Sequence, residues 1–149
     1  MNRRYDHIDK NDMTDITDYG PEPFAADVYR AALRNNNYRT ALWTGDHLQM
    51  TLMSIPAGGE VGLEVHPDDD QFLRVEDGRA AVKMGKNRDK LNYQKNLDAG
   101  GGVFVPAGTW HNVINIGNRT LKLSSIYAPP HHVHGVVDKS KEDADRKED

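Results

Sequence analysis

Short runs of apolar residues, interrupted by turns, extend over most of the chain and predict a protein built from β-strands. The runs are rich in β-branched and aromatic residues, and turn sequences such as Pro-Ala-Gly-Gly and Glu-Asp-Gly separate them. Many short strands separated by turns are typical of a β-sandwich or a β-barrel. The runs are YRTALWT, LQMTLMSI, VGLEV, QFLRVE, RAAVKM, GVFVP, HNVINI and LKLSSIYA.

One segment ahead of the strands has the periodicity of a helix. Its apolar side chains recur at the spacing of one helical face, and a run of asparagines follows as a stop signal. We therefore predict a short helix before the first strand. The apolar positions are Phe24, Val28, Ala31 and Ala32, and the asparagines are residues 35–37.

Composition divides the chain into three parts. We predict an N-terminal extension with the short helix at residues 1–37, a β-barrel domain at 38–137, and a charged, disordered tail at 138–149. The tail reads DKSKEDADRKED and holds no apolar residue larger than alanine. It therefore has too little apolar surface to stabilise an ordered structure.

Length and charge narrow the functional classes. A chain of 149 residues with 37% hydrophobic and 28% charged residues is typical of one globular domain. The net charge of -4 argues against a nucleic-acid groove. The absence of cysteine excludes disulfides and thiolate ligands. We find no apolar run near the ~20 residues of a membrane span and no signal-like apolar core, and we expect a cytoplasmic protein.

The first candidate site lies in the acidic stretch EVHPDDDQFLRVEDG, which begins at Glu64. Glu64 and His66 are two residues apart, so they share one face of a strand. Gln71 begins the next run, and Asp77-Gly78 favours a tight hairpin turn after it. If the two strands are neighbours, Glu64, His66 and Gln71 meet inside the barrel.

The second candidate site follows the turn Pro106-Ala-Gly108. His111, Val113 and Asn115 share the inner face of the strand after it. A single histidine is more often a hydrogen-bonded structural residue than a ligand. The spacing of the two sites along the chain therefore has to decide between these interpretations.

The spacing of both sites resembles the two sequence motifs of the cupin family. The resemblance covers about residues 48–128, and every interval of both motifs is kept. The first motif corresponds to Gly58, Glu64, His66, Gln71 and Gly78. The second motif corresponds to Gly100, Pro106, Gly108, His111 and Asn115.

This resemblance implies an all-β fold, the double-stranded β-helix or jelly-roll barrel, with a metal ion in its mouth. The family's ligands are His, His, Glu and a later His. By position, those places hold Glu64, His66, Gln71 and His111. This chain thus has Glu in place of the first His and Gln in place of the usual Glu.

Both departures together conserve the charge of the implied site. Two imidazoles, one carboxylate and one carboxamide leave a divalent ion at about +1, as three imidazoles and one carboxylate do. Nitrogen and oxygen donors favour Zn, Fe(II) or Mn(II) over Cu or Ni. The alternative is a cupin that has lost its metal, with Glu64 bonded to Gln71.

Two further groups of residues are weaker candidates. Asp68, Asp69 and Asp70 lack the spacing of a calcium loop, and we predict a solvated turn. The histidines at 131, 132 and 134 follow two prolines. They fit an exposed loop, with a surface metal site or a lid over the mouth as alternatives.

The resemblance leaves the reaction open. In ligand types the site is similar to mannose-6-phosphate isomerases of the cupin class, which implies a metal-dependent isomerase acting on a small polar molecule such as a sugar phosphate. The alternatives are an Fe(II)-dependent dioxygenase and a non-catalytic small-ligand-binding cupin. The catalytic base is not identified: Glu60 and Glu76 are the carboxylates considered, and alternation places Glu76 outside the barrel. The cations available for a phosphate group are Arg74, Arg79 and Lys83.

We also expect a homodimer. Phe72, Ile114 and Ile116 are apolar residues predicted to face outward from the barrel. Such residues need cover from the N-terminal helix or from a second copy of the chain.

Overall fold

Two antiparallel β-sheets and two helices make up residues 15–148, the part of the chain that this computed structural model describes. Residues 1–14, the start of the predicted N-terminal extension, and residue 149 lie outside the described part. In chain order the elements are helix α1 Val28–Arg34, β1 Arg39–Thr44, β2 Gln49–Ile55, β3 Asp70–Asp77, β4 Ala80–Gly85, β5 Tyr93–Leu97, β6 Gly102–Val105, β7 Trp110–Asn115, β8 Leu121–Ala128, β9 Val137–Asp138 and helix α2 Lys141–Glu148.

The two sheets face each other across one apolar core. The larger sheet has the strand order β6-β3-β8-β2-β1-β9, and the smaller has the order β5-β4-β7. The core combines Leu73 and Leu123 of the large sheet with Val82 and Val113 of the small one. The predicted all-β jelly-roll fold with a short N-terminal helix is thereby confirmed.

Alternation along the strands decides which side chains enter this core. In β7, His111, Val113 and Asn115 are buried, while the residues between them are half-buried. In β4, every second residue from Ala80 is buried in the same way. His111 therefore enters the interior for the same reason that Val113 does, because both lie on the inner face of one strand.

Helix α1 covers the outer face of the large sheet. Its N-cap, Asp27, accepts a hydrogen bond from the backbone N of Arg30 at 2.9 Å. Ala31 and Ala32 pack against Leu42 and Leu52. The predicted helix is present, although it starts at Val28, four residues after Phe24.

The chain between Asp77 and Ala80 is a corner between sheets and not the predicted hairpin. Strand β3 pairs with β6 and β8, whereas β4 pairs with β5 and β7. Gly78 has a φ of 101°, which is the positive value that the turn sequence implied. The sequence signal for a tight turn was therefore correct, but the strands that it joins are not neighbours.

The segment around Glu64 also pairs differently from the prediction. We expected it to lie beside β3, but its isolated bridges join Glu60 to Ile114 and Glu64 to His111. It thus extends the small sheet beyond β7. This pairing places the first candidate site directly against the second.

The end of the chain differs from the expected disordered tail. Helix α2 spans Lys141–Glu148, and its Ala144 is buried in the main core. Lys147 Nζ lies 2.6 Å from a carboxylate oxygen of Asp138, at the end of β9. The expectation considered the segment alone. In the folded protein, the buried Ala144 and the contact of Lys147 with Asp138 hold the helix against the rest of the chain. Neither helix of the described residues is long and apolar enough to cross a membrane.

Candidate metal centre

Glu64 and His111 are held opposite each other by their own backbones. The Glu64 N donates to the His111 carbonyl at 2.9 Å, and the His111 N donates to the Glu64 carbonyl at 2.9 Å. The His111 ring is buried, and its Nδ1 lies 2.9 Å from the Thr109 carbonyl. Because Nδ1 then carries the proton, the Nε2 lone pair is available to a ligand.

His66 completes a cluster of three side chains. Its ring centroid lies 5.1 Å from that of His111, and its Nε2 lies 3.7 Å from a carboxylate oxygen of Glu64. Its carbonyl accepts a hydrogen bond of 2.9 Å from the Gly108 N. The turn at Gly108, in the second motif, therefore fixes the backbone position of His66, in the first motif.

The geometry of this cluster suits a divalent ion. One ligand atom from each of Glu64, His66 and His111 lies within 4.8 Å of the others. An ion about 2.1 Å from each ligand requires the ligand atoms to lie roughly 3–4 Å apart, so small side-chain rotations close the site. Both ring nitrogens of His66 are buried without a hydrogen-bond partner in the described residues.

Gln71 lies on β3, and its amide is fixed by a neighbouring strand. Its Nε2 donates to the Ser125 hydroxyl at 2.9 Å. Its Oε1 is buried, and no hydrogen-bond donor among residues 15–148 reaches it. This amide orientation leaves the oxygen available, as a metal-ligating carboxamide requires.

Burial keeps the histidines of the cluster neutral. Burial first, and then His131, His111 and Arg39, lower the pKa of His66 from 6.5 to about 3. Burial also lowers the pKa of His111, partly offset by the hydrogen bond to the Thr109 carbonyl. Neutral imidazoles are the form that binds metal ions.

The comparison with known proteins settles the family. A family model described as "Cupin domain" matches residues 51–127, more than half of the chain. The chain belongs to the cupin family. The Bacillus subtilis protein YrkC is 58% identical to this cupin over 134 residues, which are 90% of this chain and 72% of YrkC.

Solved structures show the same fold. The crystal structure of BH2720 from Bacillus halodurans matches this cupin with a TM-score of 0.87 and 54% identity, covering 88% of this chain and 99% of that chain. TT1209 from Thermus thermophilus matches with a TM-score of 0.60 and 22% identity, covering 70% and 96%. The second match shows a shared fold alone.

Asp69 is a buried residue that the sequence analysis assigned to a solvated turn. Asp68 and Asp70 are exposed as expected, and Asp70 Oδ1 accepts a hydrogen bond from the Ala107 N at 2.9 Å. The Asp69 side chain is instead turned inward, where its Oδ2 lies 2.7 Å from His131 Nδ1. Alternation could have identified it, because Asp69 lies two residues before Gln71 and so shares the inner face of β3 extended back by one residue.

The histidines after β8 contribute unequally to the mouth of this cupin. The His131 ring lies 4.2 Å from the His66 ring and stacks on Tyr127 at 5.4 Å. His132 is half-buried against Tyr127, and burial strongly lowers its pKa. His134 is exposed, with its Nε2 at 2.8 Å from the Gly20 carbonyl. Of the three interpretations, the exposed loop fits His134, whereas the position of His131 beside His66 fits a lid or a metal site.

Proposed function

We propose that this cupin binds one divalent metal ion through Glu64, His66 and His111, with Gln71 as a fourth ligand. The observation that carries the proposal is His66, a 4% exposed imidazole whose two nitrogens have no hydrogen-bond partner in the described residues. Leaving buried polar atoms unpaired is costly, and a metal ion would satisfy one of them. Two imidazole and two oxygen donors suit Zn, Fe(II) or Mn(II).

The donor set best supports an Fe(II)-dependent oxygenase that acts on a small polar molecule. Two histidines and one carboxylate with an open position are the usual set of non-haem Fe(II) oxygenases. An iron ion held there would supply the oxygen chemistry. The protein's own contribution is the arrangement of Glu64, His66 and His111 and the exclusion of water by the core around them.

A small cavity borders Glu64, one of the four proposed ligands. This cavity of about 120 Å³ is lined by Tyr38, Arg39, Glu64 and Lys141, among others. Sites for drug-sized ligands are usually about 300–1,000 Å³. Arg39 pairs with Asp138 at 3.3 Å, and Lys141 pairs with Asp145 at 2.8 Å. The cavity therefore favours a small substrate by its size and not by a net positive charge.

A metal-dependent isomerase of the mannose-6-phosphate type is the second candidate. Its support is Asp69, a buried carboxylate near His66 that could move a proton.

The other carboxylates and the cations argue against the isomerase. Glu76 accepts a hydrogen bond from the Ser124 hydroxyl at 2.7 Å, and Glu60 is exposed. Two of the three cations considered for a phosphate group, Arg74 and Arg79, pair with Glu76 and Asp98.

The metal content of the purified protein tests the shared part of both candidates. We expect about one equivalent of Zn, Fe or Mn per chain by elemental analysis. His66→Ala and His111→Ala should each weaken binding by at least about tenfold, since each removes a direct ligand. His47→Ala is the matched control, because His47 is exposed and lies outside the cluster. Full metal occupancy in both ligand variants after dialysis would contradict the proposal.

Nitric oxide tests the open coordination position that an oxygenase needs, and substrate conversion then separates the two reactions. Protein loaded anaerobically with Fe(II) should give the electron paramagnetic resonance signal of an iron nitrosyl, because one coordination position is open. A fully iron-loaded protein without this signal would count against the oxygenase. Chelator-sensitive conversion of mannose 6-phosphate by the zinc form would favour the isomerase. A melting-temperature shift with a ligand but no turnover would favour a non-catalytic binding protein.

We also propose that this cupin forms a homodimer. The support is an aromatic pair at the edge of the large sheet, of which one ring is exposed and the other half-buried. Phe104 of edge strand β6 is 75% exposed and lies 4.7 Å from the Phe72 ring. Soluble proteins usually cover such edges.

A further inference from the structure

A second group of metal-ligating side chains overlaps the first. Ligand atoms of His66, Asp69 and His131 lie within 4.8 Å of one another. Neither Asp69 nor His131 occupies a position of the two cupin motifs. The group therefore calls for an explanation of its own.

Both added residues are held in place by their neighbours. Asp69 immediately precedes β3, where Asp70 is anchored to the Ala107 N. The His131 N donates to the buried side-chain oxygen of Gln49 at 3.2 Å. The ring of His131 also stacks on Tyr127, with an interplanar angle of 22°. The two side chains thus have fixed positions beside His66.

Hydrogen bonds do not satisfy the buried polar atoms of this group. Although Asp69 Oδ2 lies 2.7 Å from His131 Nδ1, the two groups are not aligned as a hydrogen bond, and Oδ2 has no other partner in the described residues. An ion pair with a protonated His131 would explain the short distance. It would still leave both nitrogens of His66 unpaired. A cation bound by all three residues would satisfy the carboxylate and one of those nitrogens together.

We infer that His66, Asp69 and His131 form an outer metal position, from which an ion passes to the inner position of Glu64, His66 and His111. The inner position is the one of the proposed function, on which this inference rests. A neutral imidazole offers one nitrogen lone pair, so His66 serves one position at a time. The chain therefore binds one ion, not two. The His131 side chain is 30% exposed, so the outer position is the more accessible to an arriving ion.

Binding of Zn²⁺ to the metal-free, full-length protein tests the inference. Calorimetry on the wild type and on His131→Gln should give one equivalent each. His111→Gln should retain weaker binding at the outer position. The double variant His111→Gln/His131→Gln should bind at least about tenfold more weakly than His111→Gln alone, since it lacks a ligand in both positions.

Loading kinetics give a second readout. His131→Gln and Asp69→Asn should take up Co²⁺ at least about tenfold more slowly than the wild type in stopped-flow absorbance, with the final spectrum unchanged. His134→Gln is the matched control, because His134 lies in the same loop and its ring lies against the Gly20 carbonyl and Asp18, away from both metal groups. Circular dichroism establishes that each variant is folded, and Glu64→Gln replaces His111→Gln if that variant unfolds.

The outcomes separate this inference from the proposed function. Equal Zn²⁺ affinity of His111→Gln and the double variant would overturn the outer position and leave the inner one intact. A second equivalent of Zn²⁺ in the wild type would overturn the sharing of His66. No effect of His111→Gln on affinity would instead overturn the inner position.

Discussion

At the scale of single residues, the chemistry of the site depends on hydrogen bonds that orient its ligands. Gln71 presents an unpaired oxygen because its Nε2 is bonded to the Ser125 hydroxyl. Ser125 is fully buried, so its hydroxyl is shielded from water. A ligand held in this way needs little reorganisation when an ion arrives.

Removal of the Ser125 hydroxyl should therefore weaken metal binding. We expect Ser125→Ala to lower Zn²⁺ affinity by about 10–100-fold, the usual effect of losing a residue that orients a ligand. Calorimetry on metal-free protein measures it. Ser124→Ala is the matched control, because the Ser124 hydroxyl donates to Glu76 on the opposite face of β8. Equal affinities of the two variants would mean that the Ser125 hydroxyl does not orient a metal ligand.

Residue spacing could predict the four motif positions but not the residues around them. Glu64, His66, Gln71 and His111 follow intervals set by strand alternation and short turns, which are local. His131 reaches His66 from the far side of the mouth, 65 residues later in the chain. Such a contact depends on how the loop after β8 packs, and no local pattern encodes it.

At the scale of elements, corners between the sheets carry the strongest backbone requirements. Gly78 has a φ of 101°, and a Cβ there would lie 3.2 Å from the Leu121 Cα. Gly58 has a φ of 82°, but a Cβ there would meet nothing within 4 Å. The two glycines therefore share the conformational requirement, and only Gly78 adds a close contact.

Substitution of the two glycines should separate these effects. We expect Gly58→Ala to lower the free energy of unfolding by about 1 kcal/mol, through the left-handed conformation alone. Gly78→Val should lower it by about 1–2 kcal/mol or more, because the side chain also meets Leu121. Urea denaturation measures both. Equal losses would show that the contact with Leu121 relaxes at no cost.

Helix α2 depends on one small buried residue. Ala144 is 4% exposed and packs in the main core, while Glu142 of the same helix is exposed. An eight-residue helix is marginal alone in water, so its order comes from docking. We expect Ala144→Asp to undock it, because a charge would be buried without a partner. Hydrogen exchange of residues 141–148 should then rise to the rate of an unstructured peptide.

The control for helix α2 is Glu142→Ala, which should leave hydrogen exchange in the helix unchanged or slower. Protection of residues 141–148 in Ala144→Asp equal to the wild type would contradict the docking of this helix.

Elements with a buried face could be predicted from the sequence, and those without one could not. Strands β3, β4 and β7 alternate between buried and less buried residues, and each was predicted within about two residues. Strand β5, the segment YQKNL, was missed because its first four residues are all exposed. Helix α2 has a similarly weak pattern, since its single buried residue is an alanine.

At the scale of the whole molecule, the fold brings two distant motifs to one point. The segment around Glu64 pairs with β7, and the Gly108 N bonds to the His66 carbonyl at 2.9 Å. The proposed ligands Glu64, His66 and His111 therefore belong to the small sheet and its extension, while Gln71 reaches the candidate site from the large sheet. The candidate site lies where the two sheets meet, so a change in their packing would alter the ligand geometry.

The remaining prediction concerns the outer surface of the large sheet. Phe104 lies on edge strand β6, where unpaired backbone groups and an exposed aromatic ring favour association with a second copy. We expect Phe104→Glu to shift the protein from dimer to monomer in analytical ultracentrifugation at micromolar concentration, because it places a charge in the contact. Val133→Glu is the matched control, since Val133 is 76% exposed and lies outside the strands. Two results would contradict this prediction: a wild-type protein that sediments as a monomer, or a Phe104→Glu variant that stays dimeric. Either would show that the apolar edge does not form a contact between subunits.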